Sequence, residues 1–119
     1  WGLKEQPDFY NQVLVLKTAL SPQQLMDKLL MIEAQMGRKR KEKMGPRVID
    51  IDILLIEDLV MDEPLLHIPH PRLPQRRFAL TPLAEVAPDM IHPVFNKSIA
   101  TLLGQCEDDS DVHKISNNE

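Results

Sequence analysis

The segment GPRVIDIDILL, residues 45–55, decides the fold, because it combines the composition of a buried β-strand with two acidic side chains. Aliphatic and β-branched residues continue from Val48 to Ile56 after a Gly-Pro pair, which is typical of a largely buried strand. Asp50 and Asp52 interrupt that run. Side chains two residues apart in a strand point to the same face, so the two carboxylates are close together and costly to desolvate without a positive partner. The segment therefore predicts a strand that carries a paired acidic site.

Two explanations of the aspartate pair are open from the residues alone. The first is an edge strand whose polar face meets water, with the acids paired to nearby lysine or arginine. The second is a Mg²⁺ ion that bridges both carboxylates, and the pattern supports it at least as well as the first, because Val48 and Leu54 lie on the same face and indicate that this face is covered. Magnesium prefers a few hard oxygen ligands and keeps positions for waters and phosphate oxygens.

A strongly basic segment, RKRKEKMGPR (residues 38–47), leads directly into the aspartates. It carries a net charge of +5, while the whole chain carries −4, so the other residues together carry −9. Proteins that coat a long polyanion present a broad basic face, and this chain is acidic outside one segment. A small concentrated anion such as a di- or triphosphate suits the segment better, since arginine binds phosphate in a bidentate manner.

Length and composition indicate one small soluble domain. The chain has 119 residues and a single cysteine, Cys106, so an internal disulfide is impossible. The apolar runs are too short to cross a bilayer, and no secretory leader opens the chain, so we expect a cytoplasmic protein without a membrane partner.

The order of elements follows from turn and capping signals. Residues 11–20 predict a strand covered on both faces for most of its length, and Ser21-Pro22-Gln23-Gln24 predicts a capping box that starts a helix ending near Met36, with Gly37 as its stop. After the aspartates we expect a short strand at 59–61, a helical turn at 74–77 and helices at 78–86 and 98–105. The tail from Cys106 onward is acidic and polar and predicts disorder.

Glu33 is a further acidic residue at an apolar position, in this case on a helix. It falls inside the apolar arc of the first helix, where an acid needs a partner. The plainer explanation is a boundary glutamate that reaches solvent or pairs with a lysine or arginine. The alternative is that Glu33 faces a polar pocket near the start of the basic segment.

Several other residues have both a plain and a functional explanation. His70 and Arg76, in the segment HIPHPRLPQRRF, are either ordinary surface residues or part of a second phosphate-binding site. Asn11 is either a turn residue or an amide that pairs with the edge of a heterocycle. Phe9 and Phe78 either fill the core or stack on the two faces of a flat ring.

The segments EQPDFYN, EAQMGRKRKEKMGPRVIDIDILL, IPHPRLPQRRFAL and PLAEVAPD together resemble the 6-hydroxymethyl-7,8-dihydropterin pyrophosphokinase family of folate biosynthesis. KMGPRVIDIDIL matches the family signature around the metal-binding aspartates, and the resemblance covers roughly residues 1–104. It implies transfer of pyrophosphate from ATP to the hydroxymethyl oxygen of 6-hydroxymethyl-7,8-dihydropterin, with release of AMP. Departures from the family pattern at Leu30, Lys43 and Met44 bear on adenine contact and loop closure.

The resemblance also implies a role for each candidate residue. Asp50 and Asp52 would ligate two Mg²⁺ ions, and Arg40 and Arg47 would contact the phosphates and join these aspartates in catalysis. The nucleotide side would comprise Glu33, Arg38, Ile53, His70 and Arg76, and the pterin side would comprise Trp1, Phe9, Asn11 and Phe78.

The fold implied is an α+β, ferredoxin-like antiparallel sheet packed by helices, whose N-terminal strand–helix–strand part is absent from this chain. Residues 1–105 would form the pyrophosphokinase domain and residues 106–119 the tail. The expected partners are ATP and the pterin, with no nucleic acid, and the protein is expected to act as a monomer. Two rivals stay open: an anion- or nucleic-acid-binding module without enzymatic activity, and another Mg-dependent D-x-D nucleotidyl- or glycosyltransferase.

Overall fold

The computed structural model describes residues 11–39 and 50–114, and this part of the chain forms an α+β structure. Its secondary structure consists of three α-helices, a 3₁₀ turn and a two-stranded antiparallel sheet. In chain order these are α1 (Pro22–Lys39), β1 (Met61–Glu63), β2 (Leu66–Ile68), the 3₁₀ turn (Leu73–Gln75), α2 (Arg77–Val86) and α3 (Ile99–Gln105). The α+β class predicted from the sequence is confirmed, and none of the helices in these two ranges has the length and apolarity needed to cross a membrane.

Helix α1 begins at the predicted capping box. The Gln24 N–H donates to Ser21 Oγ at 3.1 Å, and the Ser21 N–H donates to Gln24 Oε1 at 2.9 Å. The predicted stop at Gly37 was wrong by two residues, since the helix continues to Lys39. Glycine ends a helix well when it adopts a positive φ, and Gly37 does not.

The predicted helices and turns after the aspartates are confirmed. Helix α2 begins one residue before the predicted start, and α3 begins after Ser98, whose Oγ accepts the Thr101 N–H at 3.1 Å. The hairpin strand β1 begins at Met61, at the end of the predicted 59–61 strand, and pairs with β2 so that Met61 faces Ile68.

The two long strands predicted at 11–20 and 48–56 are not formed in the described residues, and this part of the prediction was wrong. Residues 11–20 and 50–56 are irregular, and the remaining 48–49 lie outside the described ranges. Leu14 is 69% exposed and Leu16 is 62% exposed, so this segment is not covered on both faces. A strand is stable only beside a neighbour to which it makes a series of hydrogen bonds. Residues 50–56 have one backbone bond to a distant described segment, from the His70 N–H to the Leu54 carbonyl at 2.9 Å, and one bond does not make a strand.

Two apolar clusters hold the described elements together. One is built around α2 and α3, with the 3₁₀ turn packed against them; the other joins the hairpin to α1. Ile53 belongs to the hairpin cluster, whereas its neighbours Leu54 and Leu55 pack against the helical cluster. The segment that carries the aspartates is therefore anchored in both. The buried residues are Leu73, Leu80, Leu83, Ile99 and Leu102 in the helical cluster, and Ile53, Leu66 and Ile68 in the hairpin cluster.

Candidate active site

The aspartate segment keeps the alternation expected of an extended chain although it is not paired in a sheet. Asp50 and Asp52 are exposed, Ile51 is half-buried and Ile53 is only 9% exposed. The two isoleucines therefore anchor the segment while the two carboxylates lie on its solvent side. The face that carries the aspartates is therefore more exposed than the covered face expected from Val48 and Leu54, and both carboxylates lie at the surface.

Glu33 is bonded to the aspartate segment itself. Its Oε2 accepts the N–H of Ile51, the residue between the two aspartates, at 2.5 Å. The glutamate is half-buried, which explains how an acid is accommodated within the apolar arc of α1. A hydrogen bond from a backbone N–H to an ionised carboxylate is stronger than one between neutral groups. The bond therefore ties α1 to the aspartate backbone and brings a third acidic group to the site.

His70 lies beside the same segment and is influenced by its charge. The pKa of His70 is below its ordinary value of 6.5, chiefly because burial disfavours the charged ring. The Asp52 carboxylate raises this pKa, while the positive charges of Arg76 and Arg72 lower it. The Arg72 N–H donates to His70 Nδ1 at 3.1 Å, so the neutral ring carries its proton on Nε2. His70 thus offers an N–H donor near Asp52, suited to a phosphate oxygen.

Arg76 and Phe78 extend the site toward helix α2. The Arg76 guanidinium lies over the Phe78 ring, with its central carbon 5.5 Å from the ring centroid. Phe78 is 37% exposed, so it is not a core residue. An arginine on one part of an exposed ring orients both groups and leaves ring surface for another flat molecule. The structure therefore brings Asp52, His70 and Arg76 together, with Phe78 beside them.

The remaining predicted site residues are placed differently or lie outside the description. Asn11 is exposed within the irregular segment 11–20, and its side chain has no hydrogen bond to another described residue. Trp1, Phe9, Arg40, Arg47 and the side chain of Arg38 lie outside the described residues.

The donor set of the site can be tested for a fit to magnesium. Within residues 11–39 and 50–114, no group of three or more His, Cys, Asp or Glu side chains is arranged to hold a metal ion. Protein sites for Mg²⁺ commonly use one or two carboxylates, and waters and substrate phosphates complete the octahedron. The two exposed carboxylates of Asp50 and Asp52 therefore fit a magnesium ion shared with a phosphate ligand.

A separate depression on the surface does not suit such a ligand. It has a volume of about 580 Å³ and contains none of the predicted site residues. Glu107 and Asp108 contribute two acids to its lining, which would repel a phosphate. Its lining residues are Pro74, Gln75, Gln105, Glu107 and Asp108.

Residues 1–88 match the family described as 7,8-dihydro-6-hydroxymethylpterin-pyrophosphokinase, abbreviated HPPK. The chain belongs to the HPPK family. The resemblance seen in the sequence motifs is thereby confirmed. The match includes α1, the aspartate segment, the hairpin, His70, Arg76 and α2, so every residue that builds the described site lies inside the HPPK match.

Individual HPPK relatives support the same assignment. The chain is 48% identical over 99 residues to the 2-amino-4-hydroxy-6-hydroxymethyldihydropteridine pyrophosphokinase of Aquifex aeolicus, covering 83% of this chain and 62% of that protein. It is 43% identical over 102 residues to the protein of the same name from Synechocystis sp., covering 86% and 52% of the two chains. It is also 43% identical over 98 residues to the folic acid synthesis protein fol1 of Pneumocystis carinii, covering 82% and 13%. The chain therefore spans about half to two thirds of the length of the pyrophosphokinases it matches.

The sequence did not reveal a contact between the start of α2 and the tail, whose tail partner, Asp108, lies outside the HPPK match of residues 1–88. Arg77, at the start of α2, bonds to the tail residues Cys106 and Asp108. Arg77 looked like one more cation in a basic run, and Asp108 looked like one acid among several in a polar tail. No local pattern links two residues that are 31 positions apart, so only the structure could show this pair.

Proposed function

We propose that this chain carries the catalytic residues of a pyrophosphokinase that transfers pyrophosphate from ATP to 6-hydroxymethyl-7,8-dihydropterin, releasing AMP, in folate biosynthesis. The observation that carries the proposal is the aspartate pair on the solvent side of an anchored segment, with Glu33 bonded between the aspartates and with His70 close enough to feel the charges of both Asp52 and Arg76. Family membership suggests the substrates, because the relatives from Aquifex aeolicus and Synechocystis sp. are named for the pterin and the pyrophosphoryl transfer. Because the chain spans only about half to two thirds of the length of those relatives, the whole activity is part of the proposal.

Asp50 and Asp52 would hold magnesium in this enzyme, as two ions shared with the triphosphate. Bound there, the metal would supply charge neutralisation on the phosphate oxygens and a fixed geometry for in-line attack.

The remaining charged residues would bind the triphosphate. His70 would donate its Nε2–H to a phosphate oxygen, and the Arg76 guanidinium would bind the phosphates from the same side of the site. Arg40 and Arg47 would close over the phosphates from the basic segment, and Arg38 would join the nucleotide side with Glu33 and Ile53. Phosphoryl-type transfer depends mainly on positioning and charge stabilisation, which arginine and histidine donors supply.

The acceptor side would hold the pterin between aromatic rings. Phe78 is exposed beside Arg76, which fits a stacking role, and Phe9 would cover the opposite face. Asn11 would pair with the heterocycle's donor and acceptor edge, and Trp1 would lie at the same end. These positions would direct the hydroxymethyl oxygen toward the β-phosphorus of ATP.

The reaction would proceed without a covalent enzyme intermediate. The hydroxymethyl oxygen forms a bond to the β-phosphorus, the bond between that phosphorus and the oxygen joining it to the α-phosphate breaks, and AMP leaves. The hydroxyl proton must be accepted during attack, and among the proposed site residues the Asp52 carboxylate is the candidate acceptor. Closure of the basic segment over ATP would limit the rate of productive assembly.

The architecture of the complete domain is part of the proposal. We infer a ferredoxin-like antiparallel sheet packed by helices, with residues 1–105 belonging to the enzyme domain. A cytoplasmic monomer that binds no nucleic acid is the expected form.

Isothermal titration of the full-length protein with a non-hydrolysable ATP analogue tests this function. The expected result is nucleotide binding that requires Mg²⁺ and that strengthens pterin binding, by the reciprocity of linked equilibria. Salt-sensitive binding of nucleic acid that is indifferent to Mg²⁺ would instead identify an anion-binding module. Metal-dependent nucleotide binding with no pterin binding would identify another D-x-D transferase.

A further inference from the structure

Residues 106–114, hereafter the strap, run along helix α2 instead of leaving the domain. The strap is joined to the first residue of α2 by Arg77. The Arg77 Nε donates to the Asp108 carbonyl at 2.6 Å, and its Nη2 donates to the Cys106 carbonyl at 3.1 Å. At the other end of α2, Lys114 Nζ lies 2.5 Å from Glu85 Oε1. The strap therefore follows the helix from its first turn to its last.

Asp108 completes the connection by capping the helix from a distance. Its Oδ2 accepts the Arg77 backbone N–H at 2.9 Å. The residue preceding α2, Arg76, provides no side-chain cap of its own. The first N–H groups of a helix have no partner within it, so an acidic side chain at this end stabilises the first turn.

The Asp108 carboxylate is itself held in place within the strap. Its Oδ1 accepts both the Ser110 Oγ–H at 2.5 Å and the Ser110 N–H at 3.0 Å. Hydrogen bonding by the Ser110 side chain, followed by the Arg77 N–H, holds the pKa of Asp108 below its ordinary value. The carboxylate is thus ionised and oriented toward the helix start at neutral pH.

The residues on either side of Arg77 are the two site residues at the start of α2. Arg76 precedes it and Phe78 follows it, and their side chains contact each other. A three-point attachment of Arg77 fixes the backbone from which both neighbours project. Loss of the attachment would let the first turn of α2 fray, and both side chains would then sample positions in which they cannot meet ligand.

We propose that Asp108 is a positioning residue of the enzyme, which docks the strap on Arg77 and so presents Arg76 to the triphosphate and Phe78 to the pterin. This inference rests on the proposed function of the site. It adds to that function a residue that lies outside the HPPK match of residues 1–88.

Asp108→Ala in the full-length protein tests the proposal, with Asp109→Ala as the matched control. Asp109 is an exposed acid one residue along, so its replacement makes the same change in net charge. The lost hydrogen bonds act on ligand presentation, so we expect Asp108→Ala to raise KM for both substrates about 3- to 10-fold, with kcat changed less than KM. Asp109→Ala should match the wild type in both constants.

Two further variants separate positioning from general loss of structure. Asp108→Asn keeps an oxygen acceptor for the Arg77 N–H and should restore most of the lost affinity. In addition, Arg77→Ala and Asp108→Ala together should raise KM by less than the product of the two single effects, because the two replacements remove different hydrogen bonds of one shared attachment. Ser110→Ala is the mildest of these changes and should raise KM less than Asp108→Ala does. It replaces Asp108→Ala as the test variant if Asp108→Ala does not fold.

The outcomes are distinguishable from those that concern the function itself. A wild-type protein that forms no AMP from ATP in the presence of the pterin overturns the proposed function, and the positioning role falls with it. An active wild type whose Asp108→Ala and Asp109→Ala variants have equal KM values overturns the positioning role alone. A fall in kcat with no change in KM in Asp108→Ala would also overturn it. So would effects of the Arg77 and Asp108 replacements on KM that multiply in full in the double variant.

Discussion

Replacement of Glu33 by alanine is predicted to destabilise the protein by releasing the aspartate segment from helix α1. The variant removes the acceptor of the Ile51 N–H, which lies at 2.5 Å from Glu33 Oε2 in a half-buried position. A backbone N–H bonded to a charged group contributes about 1.5–3 kcal/mol when well shielded. Because Glu33 is only half-buried and water can replace it in part, we expect a loss of about 1–2 kcal/mol in the free energy of unfolding.

The glutamine variant isolates the contribution of charge. Glu33→Gln keeps an oxygen that can accept the Ile51 N–H but removes the ionised acceptor, so we expect it to lose only about half as much. Gln35→Ala is the control, since Gln35 is exposed two residues along the same helix and its replacement by alanine slightly favours the helix.

Urea denaturation of the full-length protein, followed by circular dichroism, measures all three variants. A loss of about 1.4 kcal/mol corresponds to a tenfold change in the unfolding equilibrium, which such curves resolve. If Glu33→Ala were as stable as Gln35→Ala, the hydrogen bond would contribute nothing to the fold. An equal loss in the glutamine and alanine variants would show that the charge of Glu33, not its position, is responsible.

The remaining predictions concern two histidines and a helix cap. Asp52→Asn removes the negative charge that raises the His70 pKa, so NMR titration should find this pKa lower than in the wild type; an unchanged value would show that Asp52 is not close to His70. His92 is 3% exposed and its Nδ1 accepts the N–H groups of Val94 and Phe95, both at 3.2 Å. Burial lowers the His92 pKa below 6.5, so the contribution of the neutral His92 ring to stability is present above pH 6.5 and is lost as the pH falls through the lowered pKa. As the pH is lowered, the free energy of unfolding should therefore decrease less steeply in His92→Gln than in the wild type. An equal slope in the two proteins would contradict this. Ser21→Ala removes one half of the capping box and should cost about 1 kcal/mol in urea denaturation, whereas an unchanged midpoint would show that the cap is dispensable.

Local signals in the sequence predicted the helices because each signal and its structure lie within a few residues. Ser21 with Gln24, and Ser98 with Thr101, form the predicted caps. The 3₁₀ turn at Leu73–Gln75 lies close to the predicted turn for the same reason, since proline sets its own backbone angle.

Elements that depend on distant partners could not be predicted in this way. The strands expected at 11–20 and 48–56 need a neighbouring strand, and sequence pattern alone does not show whether one is in place. The strap needs Arg77, which is separated from Asp108 by 31 positions. A polar composition indicated disorder there because the stabilising contact lies outside any local window.

The candidate site shows the same division between local and distant information. The alternation of Asp50, Ile51, Asp52 and Ile53 was predictable, because it follows from the period of an extended chain. The partner of Glu33 was not, since both a salt bridge and a polar pocket were open alternatives. The structure shows a third solution, a bond to the backbone between the aspartates.

The central claim is that Asp50 and Asp52 hold magnesium for a bound nucleotide. Its most direct test measures the binding of an ATP analogue as Mg²⁺ is added, in the full-length protein and in its Asp50→Asn and Asp52→Asn variants. The wild type should bind the nucleotide only as Mg²⁺ is added. Each variant should lose the metal-dependent part of the affinity and nearly all turnover while its circular dichroism spectrum stays unchanged. Variants that keep the metal dependence and turnover of the wild type would contradict the claim.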